Sequence, residues 1–101
     1  MKTNVRDTSL LAYYDIKDNN AMSNMQEQVF RVILFSDEPP TNKEISTLLD
    51  IPINSITPRV NELRNMPIHF RGINYRVVTA GRRYCTIKPF RLSYTWRAEE
   101  V

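Results

Sequence analysis

Two apolar repeats separated by a short break lie between Thr41 and Leu63. In the first repeat, Ile45, Leu48 and Leu49 fall at positions i, i+3 and i+4. After the break at residues 50–52, apolar residues return at helical spacing, at Ile53, Ile56, Val60 and Leu63. Each repeat describes one face of a helix, so the pattern predicts two short helices with their apolar faces in a core and a tight turn between them.

The ends of these two helices carry the residues that begin and stop helices. Thr41 is followed three residues later by Glu44, the spacing of a capping box, in which each side chain accepts a backbone N–H of the other residue. Pro52 suits the start of the second helix, and Pro67 prevents its continuation. Two short helices joined in this way have the spacing of a helix-turn-helix, whose second helix enters the DNA major groove.

Two further helices are predicted before this pair. The segment Thr8–Asp18 has apolar residues on one broad face, which predicts a short helix that either docks on another molecule or packs on its own domain. Ser23 and Gln26 form a second capping-box pattern. They precede the most apolar helix of the chain, which we expect to be core scaffold, with Met25, Val29, Phe30, Val32, Ile33 and Leu34 on its stripe.

The chain after Pro67 alternates in the manner of β-strands. One strand is predicted around Tyr75–Thr79 and another around Leu92–Trp96, with turn residues at 80–83 and 88–90 between them. We expect Tyr94 and Trp96 to close the core beneath this hairpin. The predicted fold is therefore α+β: three to four helices followed by a C-terminal two-stranded β-hairpin. Residues 8–97 would form one domain, between a flexible tail at 1–7 and a second tail at 98–101.

The central segment, TNKEISTLLDIPINSITPRVNELRNM, resembles the helix-turn-helix of winged-helix DNA-binding proteins, in particular small phage-type members. The segment GRRYCTIKPFRLSYTW is similar to the wing of that family, and the likeness extends from about Thr8 to Trp96. It implies a winged helix-turn-helix with a MarR-like recognition helix at about 53–65 and a basic wing at about 81–91, both of which contact double-stranded DNA.

Three positions depart from the family pattern. Asp50 stands where glycine is usual, and we expect it to adopt a left-handed conformation. Pro58 lies inside the second helix, where it removes a backbone hydrogen bond and should loosen the first turn. Residues 88–90, Lys-Pro-Phe, replace the usual turn of the wing.

Charge is divided unequally along the chain. Up to Glu62 there are six basic and nine acidic residues, whereas residues 63–98 contain eight basic residues and no acidic one. The formal net charge of +3 conceals this division. A basic half of this kind favours a polyanionic partner, and nucleic acid is favoured over membrane because no amphipathic basic helix is predicted there.

Composition narrows the function classes. One cysteine, Cys85, allows no internal disulfide, and with the single His69 it allows no Cys/His metal cluster. His69 lacks a Ser, Cys or paired carboxylate at a catalytic spacing, and the two glycines form no phosphate-binding loop. We therefore expect no enzyme activity, no cofactor and no metal. No apolar run reaches the length of a membrane span, so a cytoplasmic protein is expected, in the host cell if a phage encodes it.

The candidate DNA contacts come from the second helix and the hairpin. The short polar side chains and Arg59 of the second helix can read base edges or phosphates, and Lys43 and Arg64 can contact phosphates. The hairpin cations can contact a flanking backbone or enter the adjacent minor groove. The candidates are Lys43, Asn54, Ser55, Thr57, Arg59, Asn61, Arg64, Arg82, Arg83, Lys88 and Arg91.

Sequence-specific binding of double-stranded DNA is the function that these patterns favour, in a transcriptional regulator of phage or prophage type. Two alternatives stay open: a protein-interaction module, such as a phage inhibitor that docks on a host nucleic-acid enzyme, and an architectural or recombination accessory protein. A homodimer through residues 8–18 is also expected, because two recognition helices select a site better than one.

Overall fold

The computed structural model of the protein describes residues 22–101. Three helices, α1 (Asn24–Phe35), α2 (Asn42–Leu49) and α3 (Ile53–Arg64), precede three strands, β1 (Ile68–Phe70), β2 (Ile73–Tyr84) and β3 (Leu92–Glu100). The predicted tail at 1–7, the predicted helix at 8–18 and the dimer that it would form lie outside the described residues. The α+β class is confirmed.

The starts of α1 and α2 are those that the sequence predicts. Ser23 and Gln26 form a capping box at α1, and Thr41 and Glu44 form one at α2. Pro52 occupies the N-cap position of α3, without a side-chain cap. Asp50 closes α2 in the left-handed conformation, with φ 57° and ψ 44°, as predicted from its place in the turn.

The sheet differs from the predicted two-stranded hairpin. Its order is β1-β2-β3 and all pairs are antiparallel, with Ile68 opposite Tyr75 and Tyr75 opposite Glu100. Strand β1 is not predicted from the sequence, because a strand of only three residues is too short to show an alternating pattern. Its two ends are buried and fill the core beside α1.

Two further details of the sheet correct the sequence-based expectation. Residues 80–83 are not a turn, because β2 continues to Tyr84 with a β-bulge between Thr79 and Gly81. Residues 98–100, expected to be a tail, belong to β3, and the amide of Val101 still donates to the carbonyl of Asn74 at 2.9 Å. Both extensions depend on cross-strand pairing, which local turn propensity does not report.

The core lies between the three helices and one face of the sheet. Its most deeply buried large side chains are Phe30, Ile45, Ile56, Leu63, Ile68, Val29 and Val60. Phe30 packs edge-on against Phe70 with ring centroids 5.4 Å apart. Trp96 is buried, as predicted, whereas Tyr94 is exposed and does not close the core.

Two apolar positions of the helical pair are also more exposed than predicted. The buried stripe of α2 runs through Ile45 and Ser46, and Leu48 points about 110° away from its centre, so it is 68% exposed. Ile53 is 41% exposed because it opens α3, beyond the reach of the packed helices. The predicted faces were therefore wrong at these two residues.

Candidate nucleic-acid interface

The turn between α2 and α3 is held by contacts from Ser46. Its hydroxyl donates to the carbonyl of Ile51, and its own carbonyl accepts the amides of Asp50 and Ile51. Ser46 is nearly fully buried, so the small side chain allows the two helices to cross closely. The left-handed Asp50 then reverses the chain, and the orientation of α3 on the body is determined by these few residues.

The side of α3 that faces away from the core is polar. Ile56, Val60 and Leu63 are buried, while the opposite surface carries Asn54, Thr57, Pro58 and Asn61, which we call the outer face of α3. Asn54, Thr57 and Asn61 are exposed. The helix is continuous over Ile53–Arg64, so Pro58 does not interrupt it.

Arg59 lies on the flank of α3 that adjoins α1. Its guanidinium forms two hydrogen bonds with Glu62, of 2.8 and 2.9 Å, and approaches the sulfur of Met25 at 3.9 Å. Gln26 also donates to Glu62, at 2.8 Å. The bonds from Arg59 and Gln26 lower the pKa of the Glu62 carboxyl. Arg59 is therefore engaged with α1 and with its own helix.

The opposite flank of α3 adjoins the sheet through Asn42. The indole N–H of Trp96 donates to the Asn42 amide oxygen at 2.7 Å, and the Asn42 amide donates to the Thr57 hydroxyl at 3.3 Å. The Arg64 guanidinium lies over the Trp96 ring, 5.0 Å from its centroid. These contacts connect α2, α3 and β3 at one place, and they position Thr57 and Arg64.

A carboxylate at the start of α2 anchors the hairpin of β2 and β3. Glu44 accepts two bonds from the Arg83 guanidinium, of 2.7 and 2.8 Å, and two from Thr86, from its amide at 3.1 Å and its hydroxyl at 2.8 Å. It also accepts the amide of Thr41 as part of the capping box. These bonds, chiefly those from Arg83, lower the pKa of Glu44 to about 2, and the pKa of Arg83 is raised in return.

A groove of about 470 Å³ separates the helices from the hairpin. Lys43 and Ile53 line its helical side, and Arg91, Tyr94 and Trp96 line its sheet side. Lys43 and Arg91 therefore border the same open cleft, which begins at the first turn of α3.

Two neighbouring aromatic rings between the hairpin and the end of α3 are each covered by an arginine. The Arg82 guanidinium lies over the Tyr94 ring at 5.6 Å, and the Tyr94 ring is 6.2 Å from that of Trp96, which Arg64 covers. Lys88 is exposed in the loop between β2 and β3. This series carries positive charge from the tip of the hairpin to α3.

The structure therefore divides the eleven candidate residues into three groups. Those brought to the outer face of α3 or to the groove and hairpin beside it are Lys43, Asn54, Thr57, Asn61, Arg64, Arg82, Lys88 and Arg91. Ser55 is half-buried on the Arg59 flank. Arg59 and Arg83 are held by Glu62 and Glu44, and the structure gives them a positioning role.

Asn42 is a residue of the candidate interface that the sequence does not reveal. It joins Thr57 and Trp96, which are 15 and 54 residues away along the chain. No local pattern carries that information, because an asparagine at the start of a helix is ordinary cap chemistry. The capping box does point to Glu44, yet it does not predict the contacts of that residue with Arg83 and Thr86.

The other residues considered from the sequence take structural positions. His69 is 2.9 Å from the amide oxygen of Asn74 on the neighbouring strand. Cys85 is buried, and the Thr41 hydroxyl donates to its sulfur at 3.4 Å. Within residues 22–101, no three His, Cys, Asp or Glu side chains are close enough to hold a metal ion. No helix in that range is long and apolar enough to cross a membrane.

No family model, curated protein or solved structure matched this chain in the comparisons made with each.

Proposed function

We propose that this protein is a winged helix-turn-helix protein that binds double-stranded DNA, with α3 in the major groove and the hairpin of β2 and β3 as the wing. Support comes first from the α2–α3 pair, whose turn is braced by Ser46 and the left-handed Asp50. A rigid turn of this kind lets the second helix project its outer face as a preformed surface.

The chemistry of that outer face is the second support. Asparagine forms paired hydrogen bonds with adenine edges, and threonine bonds bases or phosphates. The outer face of α3 carries Asn54, Asn61 and Thr57 and no charged side chain, whereas a helix face that meets only water is usually rich in Glu and Lys. Asn54 and Asn61 are then the base readers, and Thr57, held by Asn42, reads a base or positions a phosphate.

The cations around α3 would hold the phosphate backbone. Lys43 and Arg91 line the groove from its helical side and its sheet side, and Arg64 lies at the end of α3. These three side chains are separate from the Arg59–Glu62 and Arg83–Glu44 pairs, so their charge is available to phosphates. The observation that carries the proposal is this juxtaposition of a polar, uncharged helix face with a groove bordered by Lys43 and Arg91.

Regulation of transcription, in a phage or prophage, is the biological role that we propose for this binding. The proposal includes neither a catalytic step nor a cofactor, since the residues of the interface are donors and cations suited to holding DNA. Fold similarity alone would not support DNA binding; the disposition of the outer face and groove does.

The test begins with selection of duplexes from a random pool, followed by fluorescence anisotropy over a salt series. Contacts with about five phosphates give a slope of about −4 to −5 in log affinity against log salt. Asn54→Ala should weaken the selected site by about 1–3 kcal/mol and relax its sequence preference. Lys43→Ala should weaken all duplexes alike and make the slope shallower by about one.

The matched control is Asn24→Ala, which changes an exposed asparagine at the start of α1, away from the proposed interface. It should leave both affinity and preference unchanged. Absence of salt-dependent binding to any duplex would overturn the proposal and favour the protein-interaction alternative. Equal losses for Asn54→Ala on every sequence would mean that α3 does not read bases.

A further inference from the structure

One face of the hairpin end, which we define as residues 81–95, exposes large apolar side chains. Tyr84 is the cross-strand partner of Leu92, and Arg82 is that of Tyr94. Cross-strand partners project from the same face of an antiparallel pair, and Tyr84, Leu92 and Tyr94 are 66%, 48% and 54% exposed. Phe90, 57% exposed, lies in the adjoining loop. Contiguous apolar surface of this kind marks a binding site.

The charges around this apolar face are positive. Arg82, Lys88 and Arg91 are exposed on the hairpin end, and the sequence has no acidic residue between Glu62 and Glu99. The Glu44 carboxylate also contacts the hairpin, where it accepts hydrogen bonds from Arg83 and Thr86. A nucleic acid carries charged phosphates on its outside and stacked base faces, which are largely apolar, on its inside. An apolar patch bordered by cations is complementary to that arrangement.

The distance from α3 also suits DNA. Trp96 contacts Arg64 of α3, and Leu92 lies four positions before Trp96 on β3. At about 3.3 Å per residue, Leu92 is about 13 Å along the strand from that contact. Half a turn of duplex, which separates a major groove from the adjacent minor groove, is about 17 Å. With α3 in the major groove, the apolar face would therefore lie near the neighbouring minor groove.

We propose that this apolar face, with Phe90 and Leu92 leading, inserts as a wedge between base steps of that minor groove and bends the duplex. The inference rests on the proposed DNA binding and adds deformation to it. Apolar side chains that enter the minor groove unstack a step and kink DNA by about 20–90°. The bend would bring flanking phosphates toward Arg82, Lys88 and Arg91, which offsets the loss of stacking.

The experiment measures bending and binding separately on one duplex. A 20-base-pair alternating A·T duplex offers a flexible TA step in every register. Its length is about 68 Å, and a central bend of about 60° would bring its ends to about 59 Å. End-to-end energy transfer reports that shortening of about 9 Å, and 2-aminopurine within the duplex brightens when its step unstacks.

Wild-type protein should produce both signals at saturation. Phe90→Ala and Leu92→Ala together should abolish the shortening and the 2-aminopurine response, while salt-dependent binding persists with weaker affinity. The matched control is Phe35→Ala, which removes a phenylalanine of equal exposure, 58%, at the end of α1. This control should bend the duplex as the wild type does.

Four outcomes would overturn the wedge. Duplex binding without shortening would remove it and leave the proposed function intact, whereas no duplex binding would remove both. Tighter binding to a 20-nucleotide single strand, with the same dependence on Phe90 and Leu92, would assign the face to unpaired bases. A Phe90 and Leu92 double variant that bends DNA normally but loses self-association in sedimentation would assign it to protein contact.

Discussion

Removal of the Glu44 charge tests how the hairpin is held against the helices. Glu44→Gln keeps a side-chain oxygen that can accept the Thr41 amide, but it loses the negative charge that binds the Arg83 guanidinium at 2.7 and 2.8 Å. Hydrogen bonds to charged groups contribute about 1.5–3 kcal/mol. The substitution therefore separates the anchoring of the hairpin from the capping of α2.

The magnitude can be worked from the pKa of Glu44, which falls from 4.5 to about 2. A shift of that size corresponds to an upper limit of about 3 kcal/mol. The Arg83 side chain is 32% exposed and that of Glu44 12%, so solvent screens part of the interaction. We expect Glu44→Gln to lower the free energy of unfolding by about 2 kcal/mol at pH 7.

The effect should depend on pH with a definite sign. The folded-state pKa of Glu44 is depressed, so its contribution is fully present above about pH 4.5 and is lost as pH falls toward 2. The difference between wild type and Glu44→Gln should be constant from pH 7 to 5 and should shrink steadily below 4.5.

Urea unfolding followed by fluorescence of the single tryptophan, the buried Trp96, measures this difference. Glu62→Gln is the matched control, because Glu62 also pairs with an arginine through two bonds but lies at the surface. Its loss should be smaller than that of Glu44→Gln. Equal losses for the two variants, or a Glu44 effect that does not change between pH 7 and 3, would refute the anchoring role.

Three other predictions concern the elements that position the interface, each measured by urea unfolding. Asp50→Gly should stabilise the protein by up to about 1 kcal/mol, because the left-handed φ of 57° strains a side-chain-bearing residue; destabilisation would show that the Asp50 side chain has a compensating contact. Pro58→Ala should stabilise by about 1–3 kcal/mol by restoring an interior hydrogen bond of α3, and a loss would contradict this. Trp96→Phe should cost about 1–3 kcal/mol, since the oxygen of Asn42 loses its donor; circular dichroism follows its unfolding, because the variant lacks the single tryptophan. The double variant Asn42→Ala plus Trp96→Phe should cost less than the sum of the two single variants, and additive costs would argue against the bond.

Local sequence predicts the starts and stops of the helices well. The capping boxes at Ser23 and Thr41 and the left-handed turn at Asp50 are present as expected. The residues that form each of these features lie within four positions of one another. A short stretch of sequence is therefore enough to predict them. The apolar periodicity likewise identified Ile56, Val60 and Leu63 as the buried residues of α3. It also included Ile53, which is exposed.

The strands and the candidate site were harder to predict for the same physical reason. Strand β1 is too short for a pattern, β2 continues past Gly81 through cross-strand pairing, and Tyr94 is exposed although it alternates with Trp96. Pairing and burial in a sheet depend on partners far away along the chain. The same is true of Arg83, which the sequence predicts to be a free cation. In the structure it binds Glu44, which lies 39 residues earlier in the chain.

The sequence by itself determined the α+β class, the three described helices and the division of charge that confines eight basic residues to positions 63–98. Only the tertiary structure decided which basic side chains of the chain are available. It engages Arg59 and Arg83 with carboxylates, places Lys43 and Arg91 along one groove, and leaves Tyr84 and Phe90 at the surface of the hairpin end. The physical reason is that apolar periodicity shows only which face of a helix or strand is buried. Whether a side chain is free to bind another molecule depends on the partners that folding brings next to it.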